Sequence, residues 1–252
     1  MHEVLVASAV FICLVAAALG SFLVSERMPE RDRQEDTYNV VRLAANIFVV
    51  ATSLVLGLMM TSAKNTFESV DQSVHAFATD LILLDRSLKR YGPEADEVRR
   101  RLAAYVHQSA HVTWEGPNGL PGVEDRVAES LLEDLEASFA AMRPSDPVRI
   151  QLWRDVQTNL QNVVRRRWSL VEESEGTIPT PLLVVVTAWL AVIFASFGYR
   201  APRNAVVVTT LVAAAFLIAV AFYLILDLDQ PFAGAIQVSS APLQRAEEQI
   251  SR

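Results

Sequence analysis

The sequence predicts an all-α integral membrane protein. It has four transmembrane helices, a helical extramembrane domain inserted between spans 2 and 3, and a second span that continues out of the membrane as one long helix. Three observations predict this. First, residues 4–24, 43–63, 182–199 and 204–226 contain no charged side chain, and each run is about as long as a helix needs to cross a ~30 Å hydrocarbon core. Second, the chain is 52% hydrophobic yet 20% charged, too apolar for an ordinary soluble domain and too charged for spans alone. Third, the residues between the second and third runs repeat their apolar positions at helical spacing and show few β-branched alternations. The expected organisation is residues 1–63 for spans 1 and 2, 64–181 for the helical domain, 182–226 for spans 3 and 4, and 227–252 for a C-terminal tail.

The first span has a competing reading as a cleavable signal peptide. It lacks a preceding Lys or Arg, and its apolar run is longer than a signal core, so it is taken as a true span. Cys13, the single cysteine, lies inside it, which excludes a disulfide framework and a cysteine metal site. The loop at 25–42 is dense in charges of both signs.

The second span raises the question of where it stops. In "GLMMTSAKNTFESV" (57–70) the apolar run gives way to polar sequence at Lys64. From Phe67 onward, however, Val70, Val74, Phe77, Leu81, Leu84, Leu88 and Tyr91 follow in alternating steps of 3 and 4, a heptad seam. Counted backwards, the same register enters the span through Ala63, Met60, Leu56, Ser53, Val49 and Asn46. No proline intervenes before Gly92–Pro93, so one helix from about Leu43 to Tyr91 is expected. The alternative is a break near Asn65 between two helices of coincident register.

The remaining elements follow from local signals. Val98, Leu102, Tyr105 and Val106 share one face of a helix over 93–114. "EGPNGLPG" (115–122) is a loop by its Gly, Pro and Asn content. Val123, Val127, Leu131, Leu135, Phe139 and Met142 mark a further helix. Asp146 followed by Pro147 reads as an N-cap and first helical residue. The helix they open carries Leu152, Val156, Leu160 and Val163 and fades by Gly176. After the fourth span, "AIQVSSAPLQRAEEQI" reads as a short loop and an amphipathic helix.

Chemistry-bearing patterns are few. His107 and His111 in "HQSAH" stand four apart, as two metal ligands on one helix face would. The Glu of a zinc-protease motif is missing and no third ligand is evident in the sequence, so a solvated face is expected and no metal site is assigned. The runs Arg99–Arg101 and Arg165–Arg167 are either wet surface or contacts to an anion or lipid headgroup, the second run lying nearer a membrane end. No nucleophile motif, phosphate loop or catalytic carboxylate pair is present, so neither an enzyme nor a cofactor is expected. The net charge of −7 gives no footprint for nucleic acid. Polar groups in lipid are costly and face protein or water. Asn46, Val49, Ser53, Leu56, Met60 and Lys64 therefore form a candidate pore lining, with Lys64 as a positive ring at one mouth that would favour anions. Close helix packing through small and polar residues is the competing reading of this stripe. Asp227 and Asp229 sit at a helix C-terminus, where the dipole disfavours negative charge, and mark a candidate cation or salt-bridge site.

The segments "GLMMTSAKNTFESV", "DLILLDRSLKRYGPEADEVRRRL", "IPTP", "FASFGYRAPRN" and "LDLDQPFAGAIQVSSAPL" together resemble a bacterial family of integral membrane proteins described as bestrophin-like. The resemblance covers nearly the whole chain. It implies kinship with bestrophins, pentameric anion channels that have four spans, a helical domain between the second and third, and a pore lined by the second span. In bestrophins an acidic calcium clasp follows the fourth span beside a Pro-Phe-Gly turn. In this chain the two aspartates of "DLDQPFAG" precede the Pro-Phe.

The short loops carry Arg27, Arg31, Arg33, Arg42, Arg200 and Arg203, whereas the terminal flanks carry Arg245 and Arg252. Six against two places the short loops in the cytoplasm, and the termini and helical insert outside, opposite to bestrophins. The sequence thus predicts a homo-oligomeric ion channel of the bacterial inner membrane, with membrane lipid and inorganic ions as partners. The other reading is a non-conducting sensor or scaffold whose insert binds a partner. A transporter is disfavoured because neither an internal repeat nor a broken span is evident.

Overall fold

The structure, a computed structural model, describes residues 2–27, 35–115, 126–174, 178–199, 204–232 and 234–252. Among the described residues the regular structure is helical: α1 (His2–Arg27), α2 (Glu35–Tyr91), a 3₁₀ turn (Pro93–Ala95), α3 (Asp96–Glu115), α4 (Arg126–Ala140), α5 (Pro147–Ser174), α6 (Thr180–Gly198), α7 (Ala205–Leu228) and α8 (Ala241–Ile250). Of the loop expected at 115–122, Glu115 is the last residue of α3 and the rest lies outside the described residues, as do Val123, Gly176 and the arginines at 31, 33, 200 and 203.

The helix does not stop at Lys64. α2 is one element of 57 residues, about 85 Å long at 1.5 Å per residue. It ends where the sequence supplies a terminator. Gly92 adopts φ 107°, a backbone region closed to most side chains. Its N–H donates to the Leu88 carbonyl at 3.3 Å, and its own carbonyl accepts from Ala95 at 3.0 Å.

The chain divides into two compact units. The first holds α1, α2 as far as Asn65, α6 and α7. Its core is built from Leu14 and Ala18 of α1, Met59 and Ala63 of α2, Val186 and Phe194 of α6, and Ala215 and Phe222 of α7. The outside of this unit is as apolar as its inside: Leu5, Ile12, Ile47, Val50, Leu54, Leu58, Val184, Val192, Val206, Phe216 and Leu217 are all exposed. A monomeric soluble protein does not present such a surface to water, and the four helices that carry it are long and apolar enough to cross a membrane. The protein is an integral membrane protein. Gly198 ends α6 directly against α1, where a Cβ would collide with the Ser21 side chain and the Ala18 carbonyl. That close approach, with Phe11 set edge-on to Phe216 at 6.4 Å, aligns α1 between α6 and α7.

The second unit holds the rest of α2, α3, α4, α5 and the tail from Gln230. The heptad seam of α2 packs inside its own chain: Val70, Val74, Phe77, Leu81, Leu84, Leu88 and Tyr91 are buried, together with Val98, Leu102, Tyr105 and Val106 of α3. Asp146 caps α5 as expected, its Oδ1 accepting from the N–H groups of Val148 and Arg149, both at 3.0 Å. On α4 the buried face is Ala128, Leu132, Leu135 and Phe139, while Val127 is exposed and Leu131 only partly covered. Leu131 and Met142 of the expected stripe pack at the edge of this core, and Val127 lies off it. α8 buries Leu243, Ala246 and Ile250, so the amphipathic tail helix forms and joins this core.

Candidate functional site

Along the membrane part of α2 the buried positions are Ala45, Thr52, Met59 and Ala63, spaced by 7, 7 and 4 residues. They lie on the same helix face as Val70, Val74 and Leu81 (successive residues turn by about 100°). The candidate pore stripe lies elsewhere on the helix. Asn46, Ser53, Met60 and Lys64 are exposed, and Val49 and Leu56 are half-buried at its edge. Of the register counted back from the seam, only Ala63 is truly interior. A strict 7-residue repeat drifts by about 20° per heptad on a straight α-helix. Three heptads from Phe67 back to Asn46 therefore carry the stripe well round from the buried face.

The exposed surface of α2 in the first unit thus has two characters. Ile47, Val50, Leu54 and Leu58 form an apolar side suited to lipid. Asn46, Ser53, Gly57 and Lys64 form a polar or small-residue side next to it, interrupted by the apolar Met60. Ser53 and Thr61 satisfy their hydroxyl protons on their own helix, donating to the Val49 and Gly57 carbonyls at 2.8 and 2.9 Å. Asn46 and Lys64 bring groups that lipid hydrocarbon cannot serve.

The carboxylates at the end of α7 are accommodated locally. Asp227 is fully buried and Asp229 nearly so. Asp229 Oδ2 accepts the backbone N–H of Ile178 at 3.2 Å, just ahead of α6, where the helix dipole favours a negative group. The Tyr223 hydroxyl, one turn back, hydrogen-bonds Asp227. The offset that the sequence demanded therefore includes a helix start that lies 51 residues away in the chain.

The arginine runs are largely consumed by ion pairs within the second unit. Arg99 Nε meets the buried Asp85 at 2.9 Å, as does Lys89 Nζ. Arg100 and Arg101 pair with Glu97. Arg166 lies 3.4 Å from Asp80 beside a polar cleft of about 260 Å³ that Arg165 and Asn162 also line. Arg167 is buried, its charge acting on Tyr105. Burial pushes the Tyr105 phenol up to about 12, against smaller opposing effects of Arg167 and the Ser109 hydrogen bond. His107 and His111 share the exposed side of α3 with Glu247 of α8, a partner that the sequence pattern gave no sign of.

Solved structures share this architecture. One is a bacterial bestrophin homologue from Klebsiella pneumoniae carrying a point mutation, which is 13% identical and superposes with a TM-score of 0.63 over 97% of each chain. A second point mutant of a homologue from the same organism gives 0.60 at 13% identity over 96% of each chain. A structure described only as a mutant membrane protein gives 0.63 at 14% identity over 96% of each chain. At this identity the likeness speaks for the fold. No curated protein matches the sequence. The profile of the Bestrophin-like domain matches residues 12–243, which takes in α2, α3 to α7 and the buried start of α8, and the chain belongs to that family.

Proposed function

We propose that the protein is a homo-oligomeric ion channel of the bacterial inner membrane, anion-preferring, with a pore lined by the second transmembrane helix. The observation that carries this reading is the division of α2 into a buried face, an exposed apolar face and an exposed polar face. The first is satisfied within the protomer and the second by lipid. The third presents the Asn46 amide, which lipid hydrocarbon cannot serve, beside Ser53, Met60 and Lys64. Copies of α2 arranged around an axis would bring that face to water. Asn46, Ser53 and Met60 would line the passage, and Lys64 would set a positive ring at the end of the span, where rings of that sign favour anions. Five copies is the number that the bestrophin resemblance implies. The arginine count orients the short loops toward the cytoplasm and the helical unit outward.

The test is recording from purified protein in a planar bilayer under a potassium chloride gradient. Discrete unitary currents whose reversal potential lies toward that of chloride are the expected result. Persistent silence from correctly inserted oligomers, over a range of voltage and calcium, would sink the channel reading.

A further inference from the structure

His107 and His111 stand one turn apart on α3, with ring centroids 4.5 Å from each other. Glu247, 140 residues away from His107 in the chain, brings a carboxylate across both rings. Its Oε1 lies 2.7 Å from Nδ1 of His107, and its Oε2 lies 3.7 Å from Nδ1 of His111. Nδ1 of His111 is also 3.0 Å from the His107 carbonyl oxygen. A carbonyl can only accept, so that contact is a hydrogen bond when Nδ1 carries the proton, which leaves the Nε2 lone pair of a neutral His111 available. One ligand atom from each of the three residues lies within 4.8 Å of the others.

We propose that His107, His111 and Glu247 form a binding site for a divalent transition-metal ion, Zn²⁺ above all. Two imidazoles and a carboxylate are a zinc donor set, with a fourth position left for water. Nitrogen-rich sites of this kind discriminate against Mg²⁺ and Ca²⁺, which take oxygen ligands. Zinc binds nitrogen and oxygen at about 2.0–2.2 Å, so closing the cluster on the ion needs roughly an ångström of side-chain adjustment. The histidines can make it because both are exposed. The His111 contact to a backbone carbonyl is the outer-shell arrangement that orients zinc-bound imidazoles. Leu243, Ala246 and Ile250 already seat α8 in the core of this unit. The ion would add a cross-link that holds the C-terminal helix on α3. The site owes nothing to the channel reading and stands or falls separately.

The experiment uses the full chain in detergent, stripped with EDTA and then titrated with zinc chloride alone by calorimetry. Cobalt chloride serves as a second probe, read by visible absorption. One zinc per chain, a zinc-dependent rise in Tm and an intense tetrahedral cobalt spectrum are expected. His107→Ala and His111→Ala should each weaken zinc by at least about tenfold, since even outer-shell changes cost that much. Glu247→Gln should weaken it as well, and the double variant H107A/H111A should lose the cobalt bands. These side chains are exposed or half-exposed, so the variants keep the wild-type Tm in EDTA. His75→Ala, on α2, should bind zinc as the wild type does. Equal zinc binding by the wild type and the double variant, or no binding by the wild type, overturns the proposal.

Discussion

Two glycines separate what a protomer needs from what an assembly needs. At Gly198 a Cβ would run into the Ala18 backbone as well as the Ser21 side chain. A side chain can turn away, but a helix carbonyl cannot. Gly198→Ala must push α6 off α1, at a cost of about 1–3 kcal/mol, and Ser21→Ala will not rescue it. Gly57 has nothing within 4 Å of the same built atom, so Gly57→Ala should be neutral or stabilising by about 0.5–1 kcal/mol. Thermal unfolding in detergent measures both. A Gly57→Ala protein that unfolds as early as Gly198→Ala would mean that a neighbouring copy presses on Gly57. Tyr105 gives a pH signature at the same scale. Its phenol is raised from 10.0 to about 12 by burial, so the unfolded chain ionises first as the pH climbs. The contribution of Tyr105 to stability is full below pH 10 and falls from there to about pH 12, by at most about 3 kcal/mol. Tyr105→Phe should flatten the alkaline decline of Tm by that amount, and an unchanged decline would mean that the phenol is hydrated.

Among the elements, α2 carries both the legible and the illegible parts of the sequence. Its continuity through Lys64 was readable because helix terminators are local, and no proline and only one glycine, Gly57, stand between Leu43 and Tyr91. Its seam from Val70 to Tyr91 was readable because every member is buried. The continuation of that seam into the membrane was not. A heptad count is a coiled-coil count, and a straight helix repeats at 3.6 residues, so the buried face moves to Ala45, Thr52 and Met59. In the span hydrophobicity gives no help, because lipid-facing and core-facing residues are equally apolar. Contacts remote in the chain were illegible for a different reason. Neither the meeting of Asp229 with Ile178 nor that of Glu247 with His107 leaves a periodic trace. Lys64 is exposed at the end of the span because it follows the buried Ala63 by one residue, a turn of about 100° around the helix. If copies of α2 surround a pore, Lys64→Glu should carry the reversal potential toward the cation side of the gradient. A reversal potential that does not move would remove Lys64 from the conduction path.

At the scale of the whole molecule, the question is whether the polar side of α2 meets water. The channel and scaffold readings make opposite claims about Ser53. In a protomer it is exposed, with its hydroxyl proton donated to Val49, so it tolerates lipid, a dry interface or a wet pore equally well. A cysteine at that position has no such neutrality toward reagents, since only a thiol in contact with water ionises and reacts with a charged, membrane-impermeant label. Cys13, exposed on α1, must first be replaced by serine. In that background Ser53→Cys should label readily in oriented vesicles, and Leu54→Cys, on the apolar side of the same turn, should resist. Labelling of 53 and not 54 requires a water-filled space bounded by α2, which a single protomer does not enclose on that side, so it would support assembly and conduction together. Resistance at both positions would make the stripe a dry contact, with α2 then serving as a rod joining the membrane spans to the helical unit.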